Sequence, residues 1–216
     1  MPSIVVRPWE VYEMIKTVKF TKSGDDVDWT VVTDKGFKHV WLVFEESTTK
    51  RDWRNNLKFP VKLYKNQESC IRAASGWGDA WKSCNDLIME AFIAEVKKHP
   101  DFTPAVCGWS YGGAISLLAA EDFYYRTKKK PAVVTFGAPK PLWGKKSQEY
   151  VRGCCSVVCQ YAHVNDCVPA MPPLPGYRRL VTDVCCDKFN LFKWLFKAEV
   201  YHCLYGDKNI YGGQNG

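Results

Sequence analysis

The feature that most constrains the fold of this chain is a five-residue turn at 108–112, Gly-Trp-Ser-Tyr-Gly, which joins two apolar segments. Residues 104–107 before it are short and apolar, which predicts a strand. Residues 112–126 after it are rich in Ala and Leu and contain no Pro, which predicts a helix. Because glycine has no side chain, a strand and a helix can approach closely around such a turn. We therefore predict a strand, a sharp turn at Ser110 and a helix.

Segments of strand and helix character alternate along the rest of the chain. Apolar runs predict strands over residues 39–44, 132–136 and 156–163, with a further strand over 177–182. Helical periodicity and a following Pro100 predict a helix over 79–98, and a shorter helix includes 146–151. This alternation predicts the α/β class: a mostly parallel central sheet with helices on both faces. A length of 216 residues without an internal repeat favours a single domain over 1–216.

Charge and cysteine content exclude several classes of function. The net charge of +7 comes from basic residues interspersed with acidic ones, and no nucleic-acid-binding motif is present, so we expect no nucleic-acid partner. None of the ten cysteines has Cys-x-x-Cys spacing, so we expect no bound metal. Free, mostly buried thiols are the expected state. Disulfides are an alternative among Cys154, Cys155, Cys159, Cys185 and Cys186.

The first residues of the sequence give an expectation for the cellular location of the protein. The first eight residues have an apolar run only at 4–6, and no stretch has the length of a transmembrane helix. The sequence therefore predicts an intracellular, cytoplasmic protein, with export by another route left open.

Ser110 is the candidate nucleophile. It lies at the predicted strand-to-helix turn, where its hydroxyl projects above the sheet and the helix N-terminus offers N–H groups to a developing oxyanion. The alternative is a helix-capping serine between two packing glycines.

A serine hydroxyl needs a base, and the chain has four histidines. In a strand–turn–helix hydrolase the order along the chain is serine, acid, histidine. Asp166 and His202 satisfy that order after Ser110. The rivals are His163, which precedes Asp166, and Asp183, which also follows a predicted strand.

Several motifs, taken in order, resemble the class 3 (fungal-type triacylglycerol) lipase family. They are Phe-Glu-Glu-Ser at 44–47, Asp-Trp-Arg-Asn-Asn-Leu at 52–57, Ala-Ser-Gly-Trp at 74–77, Gly-Trp-Ser-Tyr-Gly-Gly-Ala at 108–114, Thr-Phe-Gly-Ala-Pro at 135–139, Val-Asn-Asp-Cys-Val-Pro-Ala-Met-Pro-Pro at 164–173 and Tyr-His at 201–202. The resemblance implies an α/β-hydrolase fold and a triad of Ser110, Asp166 and His202. It also implies an oxyanion hole from the Tyr111 amide and Ser47.

Four residues depart from the family pattern. Glu45 and Glu46 replace the usual Arg-Gly, and two carboxylates beside an oxyanion oppose it unless they point away or pair with Lys50 or Arg51. Trp109 replaces the usual His before the nucleophile, and Ala74 replaces the His of another motif. The triad is untouched by these changes.

Two segments are candidates for controlling substrate access. Residues 58–71 could form only a modest lid. Residues 189–196, Phe-Asn-Leu-Phe-Lys-Trp-Leu-Phe, combine apolar bulk with flanking lysines. The hypothesis is that Leu191, Phe192, Trp194 and Phe196 flank an acyl pocket and make transient contact with a membrane or lipid surface. The alternative is an ordinary packing helix.

The predicted function is a serine carboxylester hydrolase, a lipase or esterase, that cleaves acyl esters of acylglycerols or related lipids through an acyl-enzyme on Ser110. This chemistry needs no cofactor. A catalytically silent lipid- or partner-binding member of the fold is the alternative, motivated by Glu45 and Glu46. A thiol enzyme built on the cysteine cluster is less favoured, because no cysteine has a recognisable base.

Overall fold

The computed structural model describes residues 7–22, 27–45, 61–66, 69–181, 183–185 and 188–211. Its strands are β1 (Thr21–Lys22), β2 (Asp28–Asp34), β3 (His39–Phe44), β4 (Val61–Asn66), β5 (Ser69–Ala74), β6 (Thr103–Trp109), β7 (Ala132–Phe136), β8 (Val157–His163) and β9 (Asp183–Cys185). Its helices are α1 (Pro8–Thr17), α2 (Ser75–Lys98), α3 (Tyr111–Thr127), α4 (Lys145–Cys154), α5 (Leu191–Phe196) and α6 (Ala198–His202). Short 3₁₀ turns lie at Val168–Ala170, Leu204–Gly206 and Lys208–Tyr211.

The central sheet has the strand order β1-β2-β3-β6-β7-β8-β9. Strands β3, β6, β7, β8 and β9 are parallel neighbours, whereas β1 and β2 are antiparallel additions at one edge. In parallel sheets the carboxyl ends of the strands meet at one edge, where ligand sites form. The turns after β6, β7 and β8 are therefore neighbours along that edge.

The sheet is covered on both faces. Along β3, Val40, Leu42 and Phe44 face one apolar core, while Trp41 and Val43 face the other. This alternation follows from the two-residue period of a strand. Helices α2 and α3 pack in the first core, and α1 packs in the second. The predicted fold, a mostly parallel sheet with helices on both faces, is confirmed.

Most of the predicted elements are present with shifted ends. The strands at 39–44 and 132–136 are as predicted, and β8 begins one residue later than predicted. Helix α2 begins at Ser75 rather than residue 79, because Trp77 is buried in the core and fixes the first turn. The strand predicted over 177–182 is wrong: Tyr177 forms only an isolated bridge with Trp143, and the edge strand is β9.

Several elements have no counterpart in the sequence predictions: α1, α6, β1, β2, β4, β5 and β9. Strands β4 and β5 form an antiparallel pair in which Val61 lies opposite Ala74. The described part of segment 58–71, the modest lid candidate, belongs to that pair. Strand β2 lacks a continuous apolar run because only Trp29 among its residues is buried.

Candidate active site

Ser110 occupies a strained turn between β6 and α3. Its φ of 54° and ψ of −121° place a non-glycine residue in a backbone region that L-amino acids rarely adopt. The turn is held because the Ser110 N–H donates to the Phe136 carbonyl at 2.9 Å, which continues the pairing of β6 with β7. The Ser110 carbonyl in turn accepts from the Gly113 N–H at 3.1 Å. The predicted strand–turn–helix setting of this serine is confirmed.

The glycines on either side of Ser110 are required by contact with backbone. A Cβ on Gly108 would overlap the carbonyl group of Gly112. A Cβ on Gly112 would overlap the Glu45 carbonyl oxygen and stand 2.7 Å from that of Phe44. The end of β3 therefore packs directly against the first turn of α3.

Asp166 and His202 meet although 36 residues separate them. Asp166 follows β8, and His202 ends α6. The His202 Nδ1 lies 2.7 Å from the Asp166 Oδ2, so with Nδ1 protonated the ring donates to the carboxylate. The other oxygen, Oδ1, accepts from the Val168 N–H at 2.9 Å. The aspartate side chain is fully buried and that of His202 is 12% exposed.

Tyr205 completes the surroundings of the carboxylate, and the sequence reasoning missed it. Its hydroxyl donates to the Asp166 Oδ2 at 2.7 Å and accepts from the His163 N–H at 3.0 Å. Burial, followed by the charge of Asp166, raises the pKa of Tyr205 well above its ordinary value, so the hydroxyl keeps its proton. The available signal was the spacing His202-x-x-Tyr205, which brings two residues to one side of a helical turn.

His202 and Ser110 belong to the same edge of the sheet. Ser110 follows β6, Gly137 follows β7 and Asp166 follows β8. The imidazole lies over Gly137, where a Cβ would stand 2.7 Å from the His202 Cε1. The Trp109 Nε1–H, next to Ser110 in the chain, donates to the His202 carbonyl at 3.0 Å. The ring of His202 therefore lies above the strand that separates Ser110 from Asp166.

The rival residues differ in their placement. His163 is buried, its Nδ1 accepts from the Asn165 N–H at 3.1 Å, and its ring stacks on Tyr201. The Nδ1 of His163 is therefore occupied by a hydrogen bond within the turn that follows β8. Asp183 is the first residue of β9, and its side chain lies outside the described residues.

The predicted oxyanion hole is described in part. Tyr111 is the first residue of α3, so its amide belongs to the turn at which the helix dipole is positive. Ser47 and Glu46 lie outside the described residues. Glu45 is described: its N–H donates to the Asp28 carbonyl at 3.0 Å, which fixes the end of β3 beside α3.

The segment at 189–196 is helical only in α5, and its apolar side chains face solvent. Leu191, Phe192 and Phe196 are 58%, 62% and 71% exposed, while Trp194 is half-buried. The segment is tied to the site through the fully buried Asn165. The Asn165 Oδ1 accepts from the Asn190 N–H at 2.8 Å, and its Nδ2 donates to the Lys188 carbonyl at 3.2 Å.

The structure also bears on the expectations for a bound metal, for the cysteine thiols and for a membrane-spanning helix. Within the described ranges, no three His, Cys, Asp or Glu side chains are grouped to hold a metal ion. Among the cysteines whose side chains the structure describes, Cys154, Cys155, Cys159 and Cys185 carry free thiols, as do Cys84, Cys107, Cys167 and Cys203; Cys186 lies outside the described residues. None of the helices the structure describes combines the length and apolar character needed to cross a membrane.

A Ser, Asp and His at the carboxyl edge of a parallel sheet, with the serine in a strained strand-to-helix turn, define an α/β-hydrolase. The family model for lipase (class 3) matches residues 41–175. The chain belongs to the class 3 lipase family, as the sequence motifs indicated.

Three known proteins are similar to this chain in sequence or in structure. A Fusarium solani protein named secreted mono- and diacylglycerol lipase 1 is 27% identical over 192 residues, covering 88% of this chain and 56% of the relative. A fungal lipase crystal structure superposes with a TM-score of 0.70 at 19% identity, covering 90% of this chain and 79% of that one. A triacylglycerol lipase structure described as having a serine protease triad as its catalytic centre has a TM-score of 0.64 at 25% identity, covering 72% and 60%. The chain thus spans about half the length of the Fusarium relative.

The expected intracellular location is contradicted by these relatives. The Fusarium protein is named as secreted. The expectation rested on the first eight residues and on the lack of a stretch with the length of a transmembrane helix. Location is therefore not readable from these two features.

Proposed function

We propose that this protein is a serine carboxylester hydrolase that cleaves acyl esters of glycerol or related lipids, with Ser110 as nucleophile, His202 as base and Asp166 as the acid that orients it. The observation that carries the proposal is the 2.7 Å Asp166–His202 hydrogen bond, formed at the sheet edge where the strained Ser110 lies. The names of the relatives support acylglycerols as the substrate class.

The reaction follows from the roles of these three groups. The Ser110 Oγ attacks the ester carbonyl carbon while the His202 Nε2 takes its proton. The tetrahedral oxyanion is stabilised by the Tyr111 amide at the start of α3 and by Ser47. His202 then gives the proton to the departing alcohol. The acyl group remains bound to Ser110. Water, deprotonated by His202, releases the carboxylic acid and restores the serine.

A catalytically silent binding protein is the second candidate function. The Glu45-Glu46 pair motivates it, because carboxylates near an oxyanion oppose the charge that develops there. A silent protein has no need for a buried carboxylate held by three donors against a histidine. The hydrolase is therefore the function that the geometry supports best.

The test is labelling with a fluorophosphonate, which modifies an activated serine, together with turnover of a p-nitrophenyl ester and of mono-, di- and triacylglycerols. We expect the wild-type protein to be labelled and Ser110→Ala to be unlabelled. Asp166→Asn, which cannot hold the imidazole in the same tautomer, is expected to lower kcat by about 10⁴-fold. Wild-type protein that is folded but neither labelled nor active on any ester would establish the silent alternative.

We further propose that α5 is where the enzyme makes transient contact with a lipid surface. Its exposed apolar side chains would be costly to leave in water in such number, whereas a lipid interface accommodates them. Lys188, Lys193 and Lys197 flank these side chains, and no acidic residue lies between 188 and 198. The partner is thus an anionic or neutral lipid surface, and no nucleic acid is involved.

Substitution of Trp194 and Phe196 by Ser tests this contact. We expect the double variant to lose at least fivefold more activity on emulsified acylglycerol than on a soluble short-chain ester, because only the first substrate requires adsorption. Leu87→Ser is the matched control, since Leu87 is 58% exposed on α2, away from the proposed contact. Equal losses on both substrates would mean that α5 is an ordinary packing helix.

A further inference from the structure

We propose that Trp109 is a positioning residue for His202, and that it connects the N-terminal helix α1 to the catalytic base. The inference rests on the proposed function, because it assigns a purpose to Trp109 only if His202 is the base. Trp109 stands where the family pattern usually has His, so the arrangement belongs to this chain's own sequence.

The indole holds the histidine at two points. Its Nε1–H donates to the His202 carbonyl at 3.0 Å, and its ring centroid lies 5.3 Å from that of the imidazole at an angle of 37°. Trp109 is 3% exposed, so the donor end of this partly buried hydrogen bond is shielded from competing water. Asp166 holds the Nδ1 of the imidazole, and Trp109 holds the backbone carbonyl of the same residue. Together the two contacts determine the direction in which the ring points.

The indole is also held by α1. The Tyr12 ring meets it edge-on at 5.5 Å, and the Lys16 Nζ lies 4.1 Å above the ring. Both contacts favour the electron-rich face of an indole. Trp109 cannot rotate without disturbing α1, so its N–H stays directed at His202.

Helix α1 also contacts the chain immediately after the histidine. The Tyr12 hydroxyl donates to the Cys203 carbonyl at 3.4 Å, and a Cβ on Gly206 would stand 2.6 Å from the Glu13 Oε1. The helix that carries His202, α6, has only five residues, of which Glu199 and Val200 are exposed. Such a helix is marginal alone. The contacts from Trp109 and α1 supply the rigidity that a base needs.

The experiment compares Trp109→Phe, Trp109→His and Trp143→Phe with the wild-type protein. Trp143 is the matched control, because its Nε1–H also donates to a backbone carbonyl, that of Pro175 at 3.1 Å. The readouts are kcat and KM on a soluble short-chain ester, the rate of fluorophosphonate labelling of Ser110, and the melting temperature.

We expect Trp109→Phe to lower both kcat and the labelling rate by about fivefold to tenfold, the effect of one shielded hydrogen bond, with KM changed less than twofold. Trp109→His keeps a ring N–H, so we expect it to lower kcat and the labelling rate less than Trp109→Phe does. Trp143→Phe is expected to leave kcat unchanged. The labelling rate is measured on folded protein, so a lower melting temperature does not mimic the result.

Two outcomes overturn the inference: unchanged kcat in Trp109→Phe, or equal losses in Trp109→Phe and Trp109→His. Failure of the proposed function is distinguishable, because then the wild-type protein itself would not be labelled or His202→Ala would be labelled normally. If Trp109→Phe does not fold, Trp109→His is used in its place. For that variant, a fall in kcat matched by an equal rise in KM would overturn the inference.

Discussion

At the scale of the residue, the Asp166 carboxylate accepts three hydrogen bonds at the candidate active site. Its donors come from three places in the chain: the His202 ring, the Tyr205 hydroxyl and the Val168 amide. Burying a carboxylate is costly unless hydrogen bonds replace the lost water. These donors offset the cost and fix which oxygen faces the histidine.

Tyr205→Phe tests the contribution of the tyrosine hydroxyl. The variant leaves the buried His163 N–H without its acceptor and removes one donor from Asp166. We expect a loss of about 1–3 kcal/mol in the free energy of unfolding, measured by urea denaturation. We also expect kcat to fall by about tenfold, the effect of one hydrogen bond to a charged group.

The control for this prediction is Tyr211→Phe. The Tyr211 hydroxyl is buried and donates to the Tyr205 carbonyl at 2.6 Å, but it does not touch Asp166. We expect a comparable loss of stability with a smaller loss of kcat. If both variants lose kcat equally, Tyr205 acts on activity only through the stability of the C-terminal segment.

At the scale of the element, the turn between β6 and α3 is built by close backbone contact. Gly112→Ala places a methyl group against the Glu45 and Phe44 carbonyl oxygens, which cannot move without displacing β3. We expect it to lower the free energy of unfolding by about 3 kcal/mol or more, with loss of fluorophosphonate labelling. Thermal denaturation and labelling of the soluble fraction measure the two effects.

Gly153→Ala is the matched control within another helix. A Cβ at Gly153, in α4, meets no atom within 4 Å. Alanine is there expected to stabilise the protein by about 0.5–1 kcal/mol, because glycine is the more flexible residue in the unfolded chain. A Gly112→Ala variant as stable as Gly153→Ala would contradict the contact described for the turn.

The strands whose ends the sequence predicted correctly are those buried on both faces. Strands β3 and β7 are continuous apolar runs because both of their faces are covered. Strand β2 and helix α1 have one face toward solvent, so their apolar residues are diluted by polar ones. The β9 strand has only three residues, too few to show a pattern.

At the scale of the whole molecule, burial of the thiols makes stability depend on alkaline pH. Burial raises the pKa of Cys154 to about 11 and that of Cys155 to about 12, while the pKa of an unfolded thiol is about 8.5. A pKa that is higher in the folded state gives stability that is fully present below pH 8.5. That stability is lost as pH rises through the folded pKa.

We therefore expect the free energy of unfolding, measured in urea at several pH values, to fall between about pH 8.5 and pH 12. Cys155→Ala should flatten this decline, since it removes one of the titrating groups. Cys203→Ala should leave it unchanged, because Cys203 is exposed. A decline of the same slope in all three proteins would show that other groups are responsible.

The sequence by itself determined the α/β order of elements, the strand–turn–helix at Ser110 and the serine–acid–histidine order, because these depend on local periodicity, on glycine and on position along the chain. Only the tertiary structure showed the contacts themselves: the hydrogen bond between His202 and Asp166, and those by which Tyr205 and Trp109 hold the pair. Those contacts join residues separated by 36, 39 and 93 positions, and no local pattern records such a separation. The physical reason is that parallel packing brings distant strand ends to one edge, where hydrogen-bond geometry selects the partners.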